Sequence, residues 1–184
     1  MAIFNIIFDF LVLLGAIGGL ILGLRRGFFR TLLSTLALLL SVAFASLLAP
    51  LIVGIFVAGS GSSVETPAGI VFAALLIAVY ALLETLFRHT FPDTRLRGLG
   101  TLDNVLGFLV APGWTLLALA LIVHSVGYID RALTGAPGTG VIGLWYNASN
   151  LVDFLRDFFA IPAGLLRFLF PAGLPNPLSF FVTG

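Results

Sequence analysis

Three carboxylates stand where this chain can least accommodate them. Asp9 falls inside an apolar run, with Asn5 one turn before it. Glu84 closes another run, four residues after Tyr80 and four before Arg88. Asp103 opens a third, directly after Gly100-Thr101-Leu102. A carboxylate in hydrocarbon costs about 3 kcal/mol on insertion scales, so each is a candidate for moving protons or ions. Plainer readings stand beside that one. Asp9 is near enough to a surface to be hydrated there. Glu84 and Arg88 have the favourable orientation for an i,i+4 ion pair. Asp103 can cap or charge-stabilise the start of its own helix. A sharper reading brings Glu84 to the start of the fourth helix, at Asp103. Other chemistries lack residues. The chain has no cysteine, which excludes disulfides, thiolate metal sites and thiol catalysis. His89 and His124 are too few for a histidine metal cage. No serine–histidine–carboxylate arrangement and no Gly-x-Ser-x-Gly turn is visible. The expectation is a non-enzyme with no catalytic residue, no metal and no cofactor.

The elements that must carry these groups are apolar helices. Apolar residues make up 60% of the 184 and charged residues 9%, against about half and roughly a quarter in an average soluble domain. Mean hydropathy is +1.17, so lipid is the solvent for most of the chain. The net charge of +1 offers no field for nucleic acid. A membrane-spanning helix needs about 20 mostly apolar residues. Four segments qualify: Phe4 to Leu24, Phe28 to Val57, Pro67 to Phe87, and Asp103 to Ser125. Pro50 is expected to end the second, leaving Leu51 to Val57 as a shoulder. The first segment has no basic residue before it and its charges follow it, unlike a cleaved signal peptide. The fold class expected is all-α integral membrane, with four transmembrane helices in residues 1–129. An external loop, an amphipathic helix and a Pro-rich tail would fill residues 130–184.

Arginine placement orients the helices. Arg25, Arg26 and Arg30 occupy the first connection and Arg88, Arg95 and Arg97 the third, six of the nine basic residues. The second, Ala58 to Thr66, carries none. Both termini are therefore expected outside, with the two basic connections in the cytoplasm. Beyond a Gly-rich loop, Asn147 to Ala160 places Leu151, Phe154, Leu155, Phe158 and Phe159 at helical spacing. Asp153, Arg156 and Asp157 take the other face. That pattern predicts a helix lying in the interface, interrupted by Pro162.

Gly15, Gly19, Gly23 and Gly27 recur every fourth residue, a smooth stripe for close helix packing, internal or between protomers. Ser34, Ser41 and Ala45 of the second helix are small enough to face it, and hydroxyls there ordinarily bond back to the i−4 carbonyl. Pro112 frees the Phe108 carbonyl and predicts a kink in the fourth helix. Trp114 falls near the middle of the bilayer and is expected to be packed. His124, near the outer end, reads as a wet interfacial residue. Asn147-Ala148-Ser149 matches a glycosylation sequon by chance.

Two stretches resemble the colicin V production protein (CvpA) family. Gly23-Leu24-Arg25-Arg26-Gly27-Phe28-Phe29-Arg30 is similar to the family's Gly-x-x-Arg-Gly-Phe segment, with Asn5 and Asp9 at its polar N-terminal positions. Leu99-Gly100-Thr101-Leu102-Asp103-Asn104-Val105-Leu106-Gly107 is similar to its Leu-Gly-x-x-Asp-Arg-x-x-Gly. Asn104 replaces the usual arginine, and Ala111-Pro112-Gly113-Trp114-Thr115 lacks a second one. The resemblance implies a bacterial inner-membrane protein supporting colicin V or toxin production or export and envelope maintenance. On that reading Gly15, Gly19, Gly23 and Gly27 pack helices. Arg25, Arg26, Arg30, Arg95 and Arg97 meet anionic lipid or a cytoplasmic partner. The expected partners are the bilayer, a membrane or export-machinery protein, and further copies of the chain. The alternative is a small oligomeric transporter or channel lined by Asp9, Glu84 and Asp103.

Overall fold

A computed structural model describes residues 2–57, 65–92, 100–134 and 150–170. Among the described residues five helices follow one another: α1 (Ala2–Arg26), α2 (Phe28–Val57), α3 (Glu65–Thr90), α4 (Gly100–Thr134) and α5 (Asn150–Leu169). The expected Gly-Ser loop, Arg95, Arg97, the Gly-rich loop and the Pro-rich tail lie outside the described residues.

Two expected breaks do not occur. α2 runs through Pro50 to Val57 without a break. α5 runs through Pro162 to Leu169. A proline removes one i→i−4 bond, and the turns on either side keep the helix where apolar surroundings reward every other backbone bond. α4 likewise contains Pro112, continues nine residues past Ser125 and crosses residue 129 unbroken. Among the described residues, three helices are long and apolar enough to cross a membrane: Phe28–Ile55, Ala68–Thr90 and Thr101–Asp130.

Several hydroxyls within these helices bond back to their own backbone, as suits a medium without water. Thr31 donates to the Gly27 carbonyl, Ser46 to Val42 and Thr115 to Ala111, at 2.6–2.8 Å. Ser41 reaches Leu38, three residues back.

α4 is the central helix, packed against α1, α2, α3 and α5. α2 lies along α3, whereas α1 meets α2 only slightly. Close approach is carried by small side chains: Ala37, Ser41, Ala45 and Ala49 of α2 and Ala111 and Ala120 of α4 are fully buried. Larger residues fill the layer between, among them Leu38, Val42, Phe72, Leu117 and Leu121. Outward faces carry Ile55, Ile77, Leu82 and Leu109, all exposed, as hydrocarbon-facing helices do.

The expectation that the small face of α2 meets the glycine stripe does not hold. The stripe packs on α4, and the small face of α2 packs on α3 and α4. Both faces of such helices are apolar, so hydrophobic patterning cannot say which neighbour each one takes.

Candidate functional site

The turn between α1 and α2 is a single residue. Gly27 has φ +80°, the left-handed conformation that glycine adopts without a Cβ penalty. Its N–H donates to the Gly23 carbonyl at 3.1 Å, closing α1. Its carbonyl accepts from the Thr31 N–H at 3.1 Å and the Thr31 hydroxyl at 2.8 Å, opening α2.

The start of α2 leaves backbone donors without intrahelical partners. Asp103 supplies one from another helix: its Oδ1 accepts the Phe28 N–H at 3.0 Å. Asp103 is 1% exposed, in the first turn of α4. Its place in the first turn of α4 agrees with the expectation that it charge-stabilises the start of its own helix, and its described hydrogen bond reaches across to α2. The hydrogen bond it accepts belongs to α2, whose N-terminal dipole favours a negative charge there. A side chain at Gly27 would run into that carboxylate.

Below this junction the glycine stripe lies antiparallel on α4. Gly15 faces Leu119, Gly19 faces Thr115 and Gly23 faces Ala111. A Cβ on Gly107 would stand 2.7 Å from the Gly27 carbonyl carbon and 2.8 Å from the Gly23 oxygen. No real Cβ makes such contacts, so this pair of backbones closes only around glycine. Gly23 to Phe28 and Asp103 to Gly107, far apart in sequence, form one interlocked corner.

Glu84 holds the neighbouring corner, between α2 and α3. Its Oε1 accepts from Arg30 Nη2 at 2.8 Å and its Oε2 from the Ser34 hydroxyl at 2.9 Å. The Arg30 and Glu84 side chains are only 12% and 11% exposed. Arg88 Nη2 approaches the same Oε1 at 3.4 Å, with its side chain 61% exposed. The i,i+4 pair exists, but it is the outer contact of a buried one. Arg30, expected to meet anionic lipid or a cytoplasmic partner, is paired inside the fold, and Ser34, expected to bond back to its own helix, donates to Glu84 instead. Glu84 meets α2 rather than Asp103. No local signal in the sequence pairs Arg30 with Glu84, 54 residues away.

Arg26 turns inward as well. Its guanidinium lies 5.4 Å from the Trp114 ring centroid, a cation–π distance. The Tyr80 hydroxyl neighbours both Arg26 and Trp114. Trp114 is therefore partly buried beneath an arginine, and Arg25 is the exposed member of the pair. Asp9 is half-buried on α1 and is not brought to the other two carboxylates. His124 is corrected: it is 2% exposed and its ring packs on Phe159 of α5, centroids 5.1 Å apart. Among the described residues no three His, Asp or Glu side chains gather as a metal ligand set.

The arrangement fastens four helix ends together. The C-terminal ends of α1 and α3 and the N-terminal ends of α2 and α4 meet through Phe28–Asp103 and Arg30–Glu84. The profile of the colicin V production proteins matches residues 8–158, a stretch holding both corners. No curated protein and no solved structure gives a significant match. The chain belongs to the colicin V production protein family, which suggests a role in toxin production.

Proposed function

We propose that this chain is a non-enzymatic, four-span protein of the bacterial inner membrane that supports the production or export of a colicin V-type toxin, and envelope maintenance, through partners. α1 is the fourth span. Its exposed Phe10, Leu14, Ile17 and Ile21 suit hydrocarbon, and its antiparallel glycine seam on α4 gives it the same axis. The corner bearing Arg25, Arg26, Arg30 and Arg88 faces the cytoplasm, by the positive-inside rule, and the N-terminus is outside. Arg25 and Arg88, exposed, meet anionic headgroups.

One observation carries the accessory reading over transport. Glu84 and Asp103 are already engaged: both Glu84 oxygens and one Asp103 oxygen accept donors from another helix. Carboxylates held this way fasten helices, which favours the accessory reading.

The test separates charge from chemistry. The Arg30→Gln/Glu84→Gln double variant removes both buried charges and keeps polar contacts. Toxin release from producing cells and ion flux in proteoliposomes are then measured beside the parent protein. Release near the parent level, with no flux from either protein, supports the accessory role. Flux in the parent that vanishes in a folded, inserted double variant replaces it with the transporter.

A further inference from the structure

α5 has three sectors. Val152, Leu155, Phe159, Pro162 and Leu166 are buried and succeed each other at spacings of three and four, one stripe of a helix. Phe154, Ile161 and Leu165 form a second stripe, exposed at 52%, 66% and 65%. Asp153, Asp157 and Arg167 are exposed on the rest.

The buried stripe reports how the helix runs. From Val152 to Leu166 it extends about 21 Å at 1.5 Å per residue. Among the described helices it packs chiefly on α4 and slightly on α2. A helix is about 10–12 Å across, so a partner crossing at a steep angle would cover the middle and leave the ends open. Val152 and Leu166 are both buried. α5 therefore lies along α4. Phe159 stands against His124, so the stripe extends about 10 Å along α4 on each side of His124. His124 sits about 9 Å inside the end of the apolar span Thr101–Asp130. The far end of the stripe is then about 20 Å from that end, past the middle of a hydrocarbon core about 30 Å thick.

We infer that α5 is embedded lengthwise in the bilayer, antiparallel to α4, and that its Phe154–Ile161–Leu165 stripe is a contact surface for lipid acyl chains. The inference rests on α4 as a membrane span, and it departs from the flat interfacial helix that the sequence pattern predicts. Charge placement sets the direction. Asp153 and Asp157, in the first two turns, would each cost about 3 kcal/mol at depth, so the N-terminal end stays shallow. Arg167, about 25 Å further on, reaches toward the opposite headgroups by its flexible stem.

The chain has no cysteine, so single-cysteine spin labels test this on the full-length protein. Phe154→Cys, Ile161→Cys and Leu165→Cys are labelled and reconstituted in phosphatidylethanolamine–phosphatidylglycerol vesicles, beside Ile122→Cys on the exposed side of α4. Collision with oxygen, concentrated in hydrocarbon, is compared with collision with a water-soluble nickel chelate. The oxygen-to-nickel ratio is expected to rise severalfold from Phe154 to Ile161 and Leu165, with Ile161 matching Ile122. Equal, headgroup-like ratios at all three α5 positions beside a deep Ile122 would overturn the inference and leave α4 spanning. Nickel access at Ile122 itself would remove the span on which it rests. Exclusion of both reagents at Ile161 and Leu165 would mean that protein, such as a second copy, covers the stripe in place of acyl chains.

Discussion

The α1–α4 and α2–α3 seams fasten helices by opposite means. Along α1–α4 glycine backbones seat small side chains, Gly19 facing Thr115, Gly23 facing Ala111 and Gly27 facing Asp103, and at Gly107 backbone meets backbone. Along α2–α3 a buried arginine and a serine grip one carboxylate. Lipid gives helices no hydrophobic reason to associate, so both seams use what remains: close van der Waals packing and polar bonds. The two should fail differently. A steric seam tolerates no added atom. An ionic seam tolerates loss of both partners far better than loss of one.

Gly27→Val tests the steric seam hardest. It combines a strained left-handed residue, about 1–2 kcal/mol, with collision against Asp103. Loss of the monodisperse, folded species in detergent is expected, with Gly23→Leu close behind. A stable Gly27→Val protein would show that the corner can open.

Arg30→Ala comes next. It leaves the Glu84 carboxylate with only Ser34 and the outer Arg88 contact, expected to cost about 3 kcal/mol by analogy with broken buried pairs. Thermal unfolding in detergent should show a lowered midpoint. Arg30→Met with Glu84→Met should recover most of it, and a double variant no better than the single would deny that the pair is coupled.

Asp103→Ala leaves the Phe28 N–H without its acceptor, a loss of about 1–2 kcal/mol typical of a cap. Asp103→Asn keeps an acceptor oxygen and should lose less. Equal losses would assign the effect to charge at the α2 N-terminus rather than to the hydrogen bond.

Arg88→Ala should be smallest. It removes an exposed i,i+4 contact at 3.4 Å, worth under about 0.5 kcal/mol. An effect comparable with Arg30→Ala would mean that Arg88, not Arg30, neutralises Glu84.

Several features are legible in the residues alone. The four-residue glycine period marks a packing face wherever it docks. Glu84 and Arg88 stand in helical register, so their contact follows from the helix alone. Asp103 after Gly100-Thr101-Leu102 announces a cap. What it caps is not legible, because the recipient donor is Phe28, 75 residues away. Ser34 looks like any hydroxyl in a membrane helix, and only the neighbouring α3 turns it toward Glu84. Proline misleads twice: Pro50 and Pro162 cost their helices one bond each and end neither.

By itself the sequence determined that the chain is built of apolar helices, which connections carry the basic residues, and that one face of the first helix is a smooth glycine stripe. Those follow from transfer energies and local backbone geometry, which need no partner. Tertiary structure alone decided that α1 docks on α4, that Arg30 and Arg26 turn inward, and that α5 covers His124. In helices apolar on every side, no periodic pattern marks the buried face. Steric fit and the pairing of a few polar groups across the bundle choose it.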